Sequence, residues 1–344
     1  MRKFIIAVAL FLGFVFVVGK LAELQSVAET LQRGIWWFLG LALIIEFLWF
    51  INCGASFKAI YNAMGIEEKI GTLSLMVSAA SFVNVVAPSG GVSGLTIFIS
   101  EARRRNYSPA RAAVAGVLFL LFDYLGLIGI LLVGLIILIR RNDLTLVVII
   151  ASIALLGLAM LFAFLLTLGM QSAVALGNAL ATIARLINRI LHPFIHREYL
   201  SEARAHEFAH DAAEGLSKMR GQPKNLLQPL LLALSNKVAL IIILTLVFLA
   251  FNIPISIGTI IACFSIGSLF VIISPTPAGI GVVEGALTLA LTSMYISLED
   301  AALITLSYRG ITFWIPLLFG IVSLRFLEKA GIKPNSNRNG EINV

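Results

Sequence analysis

Five ionisable side chains stand inside apolar stretches of this chain: Glu46, Asp123, Lys237, Glu284 and Arg309. A charged group at the centre of a hydrocarbon layer costs about 2.5–3.5 kcal/mol or more. Each of the five therefore needs a partner, a wet cavity or neutralisation. Internal ion pairs that only fix packing would meet that need, and so would a polar site for a charged substrate. Glu284 and Arg309 are the sharpest candidates. Glu284 closes the stretch "SPTPAGIGVVEG", Ser274–Gly285, whose prolines and glycines break the backbone. N–H groups freed at the start of the following helix, together with its dipole, favour an anion. Glu284 would there pair with a cation or stay neutral. Arg309 offers a planar fork suited to phosphate and keeps its charge.

A second constellation is "HEFAH", His206–His210. On a helix it sets two histidines on one face for Zn²⁺, with Glu207 as a base. An intramembrane zinc protease through residues 206–210 is thus an alternative reading. His192 and His196 form another pair at helical spacing, but Pro193 lies between them. Asp211 follows His210 directly, and no second motif supplies a third ligand. A solvated amphipathic helix is the default, and neither metal nor cofactor is expected. Cys53 and Cys263 lie in apolar segments and give no disulfide framework.

The elements that carry these residues follow from composition. The chain of 344 residues is 59% hydrophobic and 12% charged, against about 45–50% and about 25% in soluble domains. The fold class is an all-α polytopic membrane protein. Apolar segments run over 4–19, 34–57, 70–87, 110–139, 144–170, 226–252, 257–274 and 300–326. The first begins with basic residues like a signal peptide, but no A-x-A-type cleavage site follows, and it reads as a retained span. Two shorter apolar pieces, 92–100 and 282–296, each follow a Pro/Gly cluster, "APSGGVSG" at 87–94 and the stretch at 274–285. Neither reaches the about 20 residues a spanning helix needs. Segment, break and short segment read as a re-entrant hairpin, tolerated at membrane depth when buried in protein or lining a cavity.

The two breaks are related. A shift of 189 lays Pro88 on Pro277, Gly90 on Gly279, Ser108 on Ser297 and Ala112–Ala113 on Ala301–Ala302. This reads as an internal duplication, with halves at about 34–140 and 226–326. With two re-entrant hairpins and six full spans, three spans separate the hairpins, which then enter from opposite faces. That is an inverted repeat, an architecture of secondary transporters. One side holds the N-terminus, the 58–69 and 101–111 loops, the 171–225 segment and the tail, with 19 of the 25 Lys/Arg. Positive-inside puts both termini in the cytoplasm. The net charge of +7 fits basic loops beside anionic lipid, with no nucleic acid as partner. Segment 171–225 reads as a linker helix on the cytoplasmic face. Residues 1–334 form one transmembrane domain, and 335–344 read as a disordered tail. Arg309 falls over Leu120 in the repeat, one helical turn from Asp123, so Asp123 and Arg309 are expected to approach near the pseudo-twofold axis.

Pro277, Gly279, Gly281 and Glu284, followed by Tyr308–Arg309, resemble the second half of the lysylphosphatidylglycerol-synthase transmembrane (flippase-like) family. Its hallmark there is Pro-Gly-Gly-x-Gly-x-x-Glu and a later Tyr-Arg, with Ala278 here in place of the first glycine. The loop with Pro88, Gly90 and Gly91 is similar to the family's first Gly-Gly loop, and Asp123 fits the acidic position of the next span. Leu95–Thr96 and Phe119–Leu120 stand where the family often carries charges. The resemblance implies a substrate site at Pro88, Gly90, Gly91, Asp123, Pro277, Gly279, Gly281, Glu284, Tyr308 and Arg309. It implies movement of aminoacylated phosphatidylglycerol or polyprenyl-phosphate-linked lipid across the plasma membrane, the partner being a lipid with an anionic headgroup. The family's soluble aminoacyl-transferase domain has no counterpart after the last span, so no enzymatic activity is expected. The rival reading is a scaffold for a glycosyltransferase or lipid synthase.

Overall fold

A computed structural model describes residues 32, 34–86, 93–191, 201–220, 226–254, 256–274 and 276–330. The segment 4–19, the loop with Pro88, Gly90 and Gly91, and the tail 335–344 lie outside them. The described helices are α1 (Trp36–Ala63), α2 (Ile70–Val86), α3 (Leu95–Arg104), α4 (Pro109–Arg141), α5 (Leu146–Gln171) and α6 (Ala173–Leu191). There follow α7 (Glu202–Arg220), α8 (Leu227–Ala250), α9 (Ile257–Ile273), α10 (Val282–Ser293), α11 (Leu298–Arg309) and α12 (Ile315–Ala330). A π turn, Gly310–Trp314, joins α11 to α12. The ring of Pro316 would crowd the carbonyl four residues back in a regular α-helix, and a π turn is a common relief for such a conflict.

Among the described residues, five helices are long and apolar enough to cross a membrane: α1, α4, α5, α8 and the run from α11 through α12. They match the five expected spans there, and the chain is a multi-pass α-helical membrane protein. Helices α2, α3, α9 and α10 are shorter and flank the two breaks. Shifting by 189 carries α4 onto 298–330, the stretch from α11 to the end of α12. The same shift brings α2 and α3 to within two residues of α9 and α10 at their starts. Local signals repeat as well. Ser108 caps α4 through the Arg111 N–H, and Ser297 caps α11 through the Asp300 N–H. Asn106 and Tyr295 hold the same left-handed backbone, with φ of 58° and 68°, where α3 and α10 stop. The next N–H reaches back to the Ala102 carbonyl in one half and the Leu291 carbonyl in the other.

Helices of this kind cannot be driven together by hydrophobicity in lipid, so small residues and hydrogen bonds carry the contacts. The broadest contact joins α1 to α8. There Asn52 donates from Nδ2 to the Asn236 Oδ1 at 2.7 Å and to the Leu232 carbonyl at 3.1 Å. A Cβ on Gly320 would stand 2.7 Å from the Ser78 carbonyl, so α12 lies directly on α2. A Cβ on Gly134 would stand 2.4 Å from the Ser265 hydroxyl, so α4 lies as closely on α9.

The polar ends are tied by charge. Arg105 bridges Glu68 before α2 and Glu101 on α3, which keeps the two ends of that hairpin together. Arg104 donates to the Glu328 carbonyl on α12. The 171–225 segment, expected as one helix, contains two, α6 and α7, with Pro193 in the sequence between them. They pack on each other, and α7 buries Ala209, Ala212 and Leu216. Arg111 pairs with Glu214, and Ser108 donates to Asp211, so α7 is clamped to the start of α4.

Candidate functional site

A cavity of about 360 Å³ lies between the two broken-helix elements. Its wall takes Asn84, Gly94 and Leu95 from the first and Ser274, Thr276, Ala278, Val283 and Leu287 from the second. Helices α1, α4, α8 and α11 add Glu46, Asp123, Lys237, Tyr308 and Arg309. Four of the five ionisable residues singled out from the sequence thus face one space, and the fifth, Glu284, is bonded to Arg309.

The second break is held in a backbone that few residues tolerate. Ala278, Gly279 and Gly281 have φ of 49°, 76° and 78°. A Cβ on Gly279 would meet the Val283 side chain at 2.3 Å, so this position excludes alanine twice, by φ and by contact. Pro277 opens the short turn Pro277–Gly279. Thr276 fastens the turn by donating to the Ile280 carbonyl at 2.9 Å.

Glu284 then does two jobs. Its Oε2 accepts the Gly281 N–H at 2.6 Å, and its Oε1 accepts from Arg309 Nε at 2.7 Å. The helix start expected to offer free N–H groups to an anion is therefore partly answered by the protein's own carboxylate. Arg309, 5% exposed, also donates from Nη2 to the Ala278 carbonyl at 3.1 Å and lies 4.5 Å above the Phe313 ring. Its Nη1 has no hydrogen-bond partner among the described residues. Hydrogen bonds of this charge-assisted kind are roughly twice as strong as neutral ones, so the broken backbone, α10 and α11 are locked at one point.

Asp123 does not pair with Arg309. Lys237 of α8 takes it at 2.7 Å, while Arg309 is satisfied by Glu284. The expected approach becomes a shared cavity wall with each charge compensated separately. The reason is packing: α4 lies against α8, which brings Lys237 within reach. Tyr308 lines the cavity beside Arg309.

One residue passed over in the sequence, Asn84, belongs to the site. Asn84 of α2 accepts the Gly94 N–H at 2.6 Å and the Ser93 hydroxyl at 2.9 Å, capping the short helix after the first break. An amide four residues before Pro88 in an apolar helix was the signal available. Glu46 is 1% exposed, and its Oε2 has no hydrogen-bond partner among the described residues. His206 and His210 of the zinc reading sit exposed on α7, with His206 packed over Gly177 of α6. No group of three His, Cys, Asp or Glu suited to a metal occurs among the described residues, and His192 and His196 lie outside them.

Helices crossing around a partly enclosed cavity with charged residues in its wall make a polytopic α-helical membrane protein. A family model for the lysylphosphatidylglycerol synthase TM region matches residues 4–320, and the chain belongs to that family. No curated protein and no solved structure matched the chain.

Proposed function

We propose that the protein is a lipid transporter of the plasma membrane. It carries a phospholipid or polyprenyl-phosphate-linked lipid by its headgroup through the cavity, while the tail stays in the bilayer. The observation that carries this reading is the cavity itself: the Lys237–Asp123 pair, Arg309 with its partner Glu284 behind it, and the two broken-helix elements surround one space inside a multi-pass membrane protein. Membership of a family named for a lipid synthase supports a lipid-related role. The two halves, at an offset of 189, are an inverted repeat. Their hairpins enter from opposite faces, and rocking one half against the other opens the cavity to each leaflet in turn. Both termini lie in the cytoplasm, on the side richer in Lys and Arg. Arg309 meets the headgroup phosphate through Nη1.

The test is reconstitution into liposomes with fluorescent phosphatidylglycerol and an impermeant quencher added outside. Wild-type vesicles should lose more signal than empty ones, and Arg309→Ala and Glu284→Ala should lose only the outer-leaflet share. A folded wild-type protein that moves neither this lipid nor a polyprenyl phosphate would leave the scaffold for a glycosyltransferase or lipid synthase as the better reading.

A further inference from the structure

Two ion pairs occupy four of the five ionisable side chains in the spans, Lys237 with Asp123 and Arg309 with Glu284. The fifth, Glu46, is left over. It lies on the cavity wall, is 1% exposed, and keeps Oε2 unpartnered. The titratable groups around it and along the same wall are Cys53 on its own helix, Asp123 and Tyr124 on α4, Lys237 on α8, Cys263 on α9, and Tyr308 and Arg309 on α11. Helices α2, α3, α9 and α10 add to that wall no ionised side chain. Both cations in the set are already held by carboxylates.

We propose that Glu46 is the exchangeable proton site of the cavity: it holds a proton while sealed from solvent, as here, and exchanges it with water each time the cavity opens to one side. The proton's part in transport rests on the lipid-transport reading. An ionised Glu46 sealed in this wall would be a charge with no partner in a low-dielectric space, which proteins avoid by neutralising the group. Opening admits water, which solvates the carboxylate and accepts its proton. Closing again requires that a proton return from whichever side is then open. A metal ion does not fit in its place. It needs several ligands, and no cluster of His, Cys, Asp or Glu suited to a metal occurs among the described residues. An anionic headgroup in the cavity sharpens the requirement, because ionised Glu46 would repel it at short range. By linkage, protonation then favours headgroup binding and headgroup binding favours protonation. Transport is therefore fastest at low pH and falls as pH rises through the titration of Glu46.

Infrared spectroscopy of the purified full-length protein in detergent reads the proton directly. Wild type should show the C=O band of a protonated carboxyl at neutral pH, and Glu46→Gln should lack it. If that variant does not fold, Glu46→Asp, which keeps a carboxyl, should move the band. A wild type without the band, or a band unchanged by either substitution, overturns the proposal. In phosphatidylglycerol vesicles, wild-type transport should fall by about tenfold per pH unit once Glu46 is ionised, and Glu46→Gln should be flat with pH. A pH dependence that survives in Glu46→Gln also overturns it. Should the vesicles move no lipid at all, the transport reading fails, while the infrared band still decides whether Glu46 holds a proton.

Discussion

The helix after the first break is closed by a neutral amide and the helix after the second by a charged pair. Asn84 reaches across from α2 to accept two donors at the start of α3. Glu284 reaches back from α10 to its own helix start and is held there by Arg309. The corresponding positions in the first half are Leu95 and Leu120, both apolar. The same backbone task thus has two solutions. The neutral cap costs little to bury and contributes only its hydrogen bonds. The charged one must remain compensated, and through Arg309 it also ties the break to α11. The two helix starts thus share a place in the chain pattern and differ in the polar groups that close them.

Unbalancing the charged pair should have the largest effect. Arg309→Ala leaves the partly buried Glu284 without its cation and should cost up to about 3 kcal/mol, the low end of the range for breaking a buried pair. Thermal unfolding in detergent, followed by tryptophan fluorescence, reads the loss, and adding Glu284→Gln should restore much of it. No restoration would mean that Arg309 acts through Ala278 and Phe313 instead. Next, the charged solution can be written into the first half. Leu95→Glu should cost about 2.5 kcal/mol in the same assay, and Leu120→Arg in the same chain should recover part of it.

The third comparison lies within the second break. Gly279→Ala and Gly281→Ala both force a left-handed alanine, at about 1–2 kcal/mol each. Only Gly279→Ala also collides with Val283, because a Cβ on Gly281 meets nothing within 4 Å. Unfolding midpoints should rank Gly279→Ala well below Gly281→Ala. Asn84→Ala should cost about 1 kcal/mol, as the loss of a cap does, less than any of the charged changes. Smallest of all, Ala278→Gly relieves φ of 49° and should leave stability unchanged or raise it by up to about 1 kcal/mol.

How far the site was legible depended on how far apart its members lie. Glu284 and Arg309 are 25 residues apart, in adjacent elements joined by a short turn; the need of Glu284 for a cation was legible there, whereas Arg309 was expected to face Asp123. Asp123 and Lys237 are 114 apart. Their meeting depends on the rotation of α4 against α8, which no periodicity in either helix records. The spans and breaks were plain because apolar length and Pro/Gly clusters act locally. The stop at Tyr295 was not, since a tyrosine at φ of 68° carries none of the usual turn chemistry. Two helices stood where 171–225 suggested one, because their apolar faces meet each other.

The π turn after Arg309 has a consequence for the cavity wall. Tyr308, Thr312 and Pro316 face the space, and beside them so do Arg309, Phe313 and Leu317, each set stepping by four residues. In an ordinary α-helix a step of four overshoots a full turn by about 40°, and such a stripe winds away round the cylinder. The wider π turn absorbs the overshoot. Both sets therefore stay on the cavity wall across the junction of α11 and α12, and beyond the arginine they present an aromatic ring, Phe313, and a hydroxyl, Thr312.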